Sequence, residues 1–336
     1  MRKTTSWIAA LAAAAIGLAA NSAGADPLKI RMSYVVPIGN WASILYEKKD
    51  VMQHYGQSYV TEVTRYTGTT FMITALGAGE LDIADLAYSS FPIAVQNASM
   101  ADLRIIGDEV QDGAQGHQSG RYYVLKDGPI KTVKDLKGGV LASVGPGTAV
   151  DIAMRAMLKK SGMIEKRDYT MVTAAFPAMK AMLLEKKAQL VAAVQPFEGD
   201  PEFQAKAHPL FNNVEALDGP SQFVIFCAKD SWLKKNKTAV VDWLEDMIRA
   251  IHWYQDPKNK DAAMEIFARI TKAPKESFAY KFGKGDNYQD PNMMPNLTAL
   301  QHTIDIMQEL EFLKAKFDVS KYTDLSYVKE AAARVK

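Results

Sequence analysis

Cysteine is nearly absent from this chain: Cys227 is the only one in 336 residues. No intramolecular disulfide can form. Cys227 lies in the apolar run "QFVIFCAKD", where an inert buried thiol is expected rather than a nucleophile. An excess of either charge is also missing, with 40 Lys and Arg against 38 Asp and Glu. That balance is a poor match for nucleic acid or an anionic membrane surface, both of which call for a basic excess. No G-x-S-x-G elbow, no catalytic cysteine context and no acid pair in a shared loop is present, so no enzyme chemistry is expected and no cofactor is called for. His117 stands alone in "DGAQGHQSG". It has no second ligand at metal spacing, and a solvated loop is the expectation there.

What is present begins with an address. "MRKTTSWIAALAAAAIGLAANSAGA" has Arg2 and Lys3, an apolar segment from Trp7 to Ala20, then Ala23-Gly24-Ala25. This is the pattern of a cleaved signal peptide, residues 1–25. The apolar segment is short and alanine-rich against the ~20 strongly apolar residues a bilayer span needs. No cysteine stands near the cleavage site, so a free exported protein is expected, in the periplasm where the cell has an outer membrane. Cleavage leaves 311 residues, and with Arg2 and Lys3 gone 38 basic residues face 38 acidic ones. A chain of that size exceeds what one hydrophobic core usually serves, so two domains are expected. ATP is not expected outside the cytoplasm, which counts against nucleotide hydrolysis.

Strand and helix alternate through the first two thirds. "LKIRMSYVV" reads as a buried strand, Trp41 to His54 as a helix, "SYVTEVTRY" as a strand, "TTFMITALGAGE" as a helix and "LDIADLAY" as a strand. After "GRYYVLKDGP" the pattern restarts with the strands "GVLASV", "DYTMVTA" and "QLVAAVQ" and the helices Thr148 to Ser161 and "PAMKAMLLEKKA". Such alternation predicts parallel sheets with helices on both faces. Beyond the strand "SQFVIFCAKD" the chain reads as nearly all helix, and Trp243, Met247, Ile251 and Tyr254 form a helical stripe expected in a core. "ITALGAGELDIADLAYSSFP" and "KAMLLEKKAQLVAAVQPFEG" align without gaps, a weak repeat suited to two similar α/β lobes. Ligands of open α/β sheets bind beyond the carboxyl ends of strands, so the loops "AYSSFP" and "QPFEG" become candidate walls of one cleft.

The order of "KIRMSYVVPIGNW", "TALGAGELDIADL", "IKTVKDLKGGVLASVGPGTA", "LVAAVQPFEG" and "ELEFLKAKFDVSKYTDLSYVKEA" resembles the solute receptors of ABC importers in the nitrate, sulfonate, taurine and thiamine-precursor group. The resemblance covers essentially the whole mature chain. It implies a type II periplasmic binding protein: a monomer of two α/β lobes, joined by two crossing strands, that closes on a small solute and presents it to an ABC permease and its ATPase. "RYYVLKD" and "QFVIFCAKD" would be the crossings. Lobe one would be 26–123 with 224–336, and lobe two 124–223. Some relatives are enzymes that make a thiamine pyrimidine, but that branch carries a cysteine cluster, which this chain lacks.

The candidate contacts keep two readings each. Gly145-Pro146-Gly147-Thr148 is neither a phosphate-binding loop, since no Lys-Ser/Thr follows, nor a dinucleotide fingerprint, since Val150 replaces the third glycine. Either Thr148 and Asp151 form a capping box, or Gly147 and the N–H groups of Thr148 and Ala149 meet a solute; the resemblance favours contact. Asn40 either caps a helix or binds the solute, with Trp41 or Tyr34 covering it. Tyr88, Ser89 and Ser90 are either turn residues or donors to an oxyanion. Gln195, Phe197 and Glu198 occupy the repeat-related loop, where Glu198 either faces solvent or meets a nitrogen on the solute. These loops hold few cations and many aromatics, Phe91 among them. They fit a small organic anion, a sulfonate or carboxylate, better than bare nitrate or sulfate. An aminosulfonate or a pyrimidine thiamine precursor, and a soluble sensor domain, remain the alternatives.

Overall fold

The computed structural model describes residues 26–335; the expected signal peptide lies outside them. Ten strands form two five-stranded sheets. The first has the order β2-β1-β3-β10-β4, with β1 Leu28–Tyr34, β2 Tyr59–Arg65, β3 Ile83–Ala87, β4 Leu103–Asp112 and β10 Ser221–Lys229. The second has the order β7-β6-β8-β5-β9, with β5 Arg121–Leu125, β6 Gly139–Ser143, β7 Tyr169–Thr173, β8 Leu190–Ala193 and β9 Ala207–Asn212. The sheets are mixed rather than purely parallel. β10 runs antiparallel to β3 and β4, and β5 antiparallel to β8 and β9. The two strand orders correspond position by position, as the repeat implies, with α1 (Thr69–Ala78) leading into β3 and α4 (Phe176–Leu184) into β8. Between them lie α2 (Ser90–Asn97) and α3 (Ala149–Lys160).

β5 lies wholly in the second sheet and β10 wholly in the first, so the divisions expected after 123 and 223 fall inside these strands. The chain passes between the sheets at 113–120 and 213–220, the latter including α6 (Asn213–Leu217), which follows α5 (Pro201–Lys206) and β9. The two connections touch. A Cβ on Gly120 would stand 1.9 Å from Asn213 Nδ2, and one on Gly113, at φ +79°, 2.6 Å from Val214 Cγ2. Only glycine allows this approach.

After β10 come α7 (Asp230–Lys235), α8 (Lys237–Gln255), α9 (Lys260–Thr271), α10 (Leu297–Glu309) and α11 (Ser326–Arg334). Trp243, Met247, Ile251 and Tyr254 of α8 are buried together with Phe226 and Trp41 in a core of the first lobe. A second core runs through both lobes and includes Leu300, Ile304 and Met307 of α10. The tail thus braces the second lobe as well: His302 Nε2 lies 2.7 Å from the Leu217 carbonyl. Trp41 to His54, expected as one helix, is two 3-10 segments, Trp41–Ser43 and Leu45–Val51. No helix among the described residues is long and apolar enough to cross a membrane.

Candidate functional site

Between the sheets lies a narrow cavity of about 70 Å3. Its walls are mostly Val, Ala and Phe, and its polar side chains are Asn40, Thr69, Thr148, Gln195 and Asn287. No titratable side chain lines it. Two helices begin at its edge. Gly68 and Thr69 open α1 in the first lobe; Thr148, Ala149 and Val150 open α3 in the second. The starts face each other: a Cβ on Gly68 would lie 3.8 Å from Thr148 Cγ2. Among the described residues no partner accepts the N–H of Thr69, Ala149 or Val150. These are the orphan donors of first helical turns, and the positive ends of both helices point at the same gap.

The turn before α3 is built to leave those donors free. Gly145 and Gly147 adopt φ of +136° and +74°, which favours glycine. The expected Thr148–Asp151 capping box does not form. Thr148 Oγ1 instead donates to the Gly145 carbonyl at 2.8 Å, and Asp151 accepts from Gly147 N at 3.0 Å and Ser143 Oγ at 3.1 Å. Asp151 also pairs with Arg155 at 2.9 Å, which offsets its charge close to the helix start.

The other expected contacts divide sharply. Asn40 and Gln195 line the cavity with Thr148 and Ala149. Asn40 is also structural: its Oδ1 accepts from the N–H of Val35 and Val36 at 3.1 and 2.8 Å, and its Nδ2 donates to Glu109 at 2.8 Å. That leaves one amide hydrogen for a solute. Trp41 is core, buried with its ring 6.0 Å from Tyr254. Tyr88, Ser89 and Ser90 are fully buried and line neither cavity. Tyr88 donates across the lobes to the Ala149 carbonyl at 2.8 Å, Ser90 is paired with Thr69 at 2.6 Å, and Ser89 Oγ is sealed without a partner. Gly147 sits behind the cavity against Ile93 and Phe312. Glu198 faces neither solvent nor cavity. It is buried, bonded to Arg121 at 2.6 Å and to the Tyr123 hydroxyl at 3.1 Å. Burial lifts its carboxyl to about 7 although Arg121 pulls the other way. His117 is half-buried beside Tyr288, 5.7 Å between ring centroids, and burial lowers its pKa.

Tyr34 and Phe197 line a second, wider cavity of about 650 Å3 outside the first, and Phe176 is a wall of both. Phe176 and Phe197 stack at 6.0 Å with 13° between planes. Segment 270–278, from α9 onward, closes the far side. This third wall, like Phe176, Phe223 and Asn287, carries no signal in the sequence. Gly68-Thr69 could have been found: a Gly-Thr pair opens both helices, as in "TGTT" and "PGTA".

Beneath the Asn40 loop, Asp85 and Glu109 are buried close together; Asp85 accepts from Ser33 Oγ at 2.7 Å and Glu109 from Asn40 Nδ2 at 2.8 Å, and each keeps one oxygen without a partner among the described residues. Burial raises both carboxyls, and the charge of Asp85 adds to the rise of Glu109; among the described residues neither has an ion-pair partner. Of the described residues, His54, Asp242 and Glu245 could gather round a metal ion. Arg249 and Arg334 already pair with the two acids, at 2.7 and 3.1 Å. That makes the group an ion-pair network on α8 with its charge already met.

The alkanesulfonate-binding protein SsuA from Xanthomonas axonopodis pv. citri, bound to MOPS, is 16% identical with a TM-score of 0.70, over 90% of this chain and 100% of that one. The periplasmic nitrate-binding protein NrtA from Synechocystis PCC 6803 is 16% identical at 0.71, over 92% and 89%. A desulfurization enzyme, DSZB, is 12% identical at 0.65, over 91% and 99%. At these identities the likeness is one of fold, that of the type II periplasmic binding proteins. No curated protein matches the chain. The model of the NMT1-like family matches residues 23–268. That stretch holds every strand described above and both helix starts at the cavity; the chain belongs to the NMT1-like family.

Proposed function

We propose that this protein is an exported solute receptor of an ABC importer and that it captures a small organic anion by closing its lobes. The observation that carries the proposal is the pair of opposed helix starts, α1 and α3, with free N–H donors at a cavity that holds no titratable side chain. A helix N-terminus favours an anion by about 0.3–1 kcal/mol when exposed and up to ~2 kcal/mol when partly buried. Hydrogen bonds to a charged group add roughly 1.5–3 kcal/mol. These dipoles suit a sulfonate or carboxylate head whose apolar body packs on the Val, Ala and Phe walls. They do not supply the full charges that would offset stripping water from a bare inorganic anion.

The same cavity supports a receptor over an enzyme. The hydroxyls of Thr69 and Thr148 are engaged, no base lies beside them, and Cys227 is buried with its thiol on the Ala84 carbonyl. The pairing of Glu198 with Arg121 supports an anion over a nitrogen-bearing solute. The solved relatives named periplasmic and the expected signal peptide support a periplasmic location.

The test is a thermal-shift screen followed by calorimetry with benzenesulfonate, benzoate, nitrate and uncharged analogues such as benzamide. Organic anions should raise the melting temperature by mass action and bind at least tenfold tighter than benzamide. Scattering should show a smaller radius on saturation. Binding of nitrate alone, or equal binding of charged and uncharged analogues, would refute the proposal.

A further inference from the structure

The outer cavity is much larger than the inner one, about 650 against 70 Å3. A solute held by its head at the helix starts leaves that space to the rest of its body. The walls there are aromatic: Tyr34, the Phe176–Phe197 stack, Phe203 and Phe278. Two cations reach it. Lys180 is met by Asp200 at 3.0 Å and Glu202 at 3.2 Å. Arg65 differs, having no carboxylate within ion-pair distance among the described residues. Its Nε donates to the Val35 carbonyl at 3.3 Å, which ties the base of the guanidinium to the loop that walls the inner cavity. It stands opposite Tyr34 in the last register pair of β1 and β2, so the two side chains leave the same face of the sheet. The planar fork of Arg65, an exposed side chain at the rim of this aromatic cavity, is thus held at one end and open at the other.

We propose that the outer cavity is a second subsite for the same solute and that Arg65 there takes a second acidic group. The solute is then an elongated diacid with a ring-bearing middle: one acid at the α1 and α3 starts, the ring against Phe176, Phe197 and Tyr34, the other acid on Arg65. This rests on the receptor reading above and narrows its ligand class. A guanidinium fork matches a carboxylate or sulfonate in a way a neutral group does not.

Calorimetry with benzenesulfonate and 4-sulfobenzoate, on the wild-type protein and Arg65→Gln, separates the claims. The diacid should bind the wild type at least tenfold tighter than the monoacid. Arg65→Gln should abolish that advantage and leave monoacid affinity within about threefold, while Arg65→Lys should keep part of it. Circular dichroism checks that each variant is folded. A diacid no tighter than the monoacid overturns the second subsite while leaving the receptor reading intact, and so does an equal loss of both in Arg65→Gln. Failure of both anions to bind the wild type overturns the receptor reading and this proposal with it.

Discussion

The loops after β3 and β8 occupy the same place in two corresponding sheets, yet they do different work. Tyr88, Ser89 and Ser90 follow β3 and are sealed: each is fully buried and none lines a cavity. Gln195 and Phe197 follow β8 and face the two cavities. A loop at a strand's carboxyl end is therefore brought to the cleft by topology, but whether its donors are free is decided by packing. In the first lobe the hydroxyls are spent inside the protein, and the donors left over are backbone N–H groups at helix starts. The lobes differ in their buried acids too. Under the first loop Asp85 meets another acid, Glu109; in the second, Glu198 meets Arg121.

The largest effect should come from removing a backbone donor. Ala149 is the first residue of α3, and Thr148 before it has ψ of 159°. Proline is tolerated at the first helical position, and an extended residue before it is the conformation proline requires. Ala149→Pro should therefore fold, yet lose one N–H and part of the cavity. Anion affinity should fall roughly 10- to 100-fold, the cost of a hydrogen bond to a charged group. Calorimetry and circular dichroism check this; unchanged affinity in a folded variant would mean that the anion lies elsewhere.

The next effect is on stability and pH. Burial raises Asp85 and Glu109, and lifts Asp108 to about 7. An acid raised on folding keeps its proton in the native state while the unfolded chain releases it near the ordinary value of about 4. Its contribution is complete below that value and is lost as pH rises through the folded one. Unfolding free energy should fall from about pH 5 to pH 8 by an amount on the order of 1–3 kcal/mol. Asp85→Asn removes one such group at equal volume. It should flatten the profile and raise stability at pH 8. Glu198→Gln should also flatten the profile, because burial lifts that carboxyl to about 7 as well, but it should lower stability across the range by leaving Arg121 without its counter-charge. Urea titrations of the three proteins between pH 5 and 8 test this; a Glu198→Gln protein as stable as Asp85→Asn at pH 8 would refute the difference between the two acids.

Much of the fold was legible in the sequence because β3, β6 and β10 are largely apolar runs and β1 alternates apolar with polar residues. β4 was not, because Asp108, Glu109, Gln111 and Asp112 interrupt it and are buried nonetheless. β9 carries His208 and Pro209 at a sheet edge, which reads as loop. The site was less legible for a different reason. Its donors are main-chain N–H groups and its walls are Val, Ala and Phe, none of which carries a chemical signature in the letters. Tyr88, Ser89, Ser90 and Glu198 look functional, and only tertiary packing shows where their polar atoms go.

The smallest expected effect is the one that discriminates best between brace and contact. Tyr88 donates to the Ala149 carbonyl across the lobes, and that carbonyl also serves the first turn of α3. Tyr88→Phe removes one donor and leaves that acceptor satisfied within the helix. Its cost should be near the net value of a neutral hydrogen bond, about 0.5–1.5 kcal/mol of stability. Because the hydroxyl is spent on the protein, anion affinity should stay within about threefold once the sample is folded and saturated. Were Tyr88 a solute contact, affinity would instead fall as far as in Ala149→Pro. Urea denaturation beside calorimetry on the same preparation reads both quantities. A loss of affinity without a loss of stability would place the hydroxyl in the cavity, and the loop after β3 would then be a binding loop like its counterpart after β8.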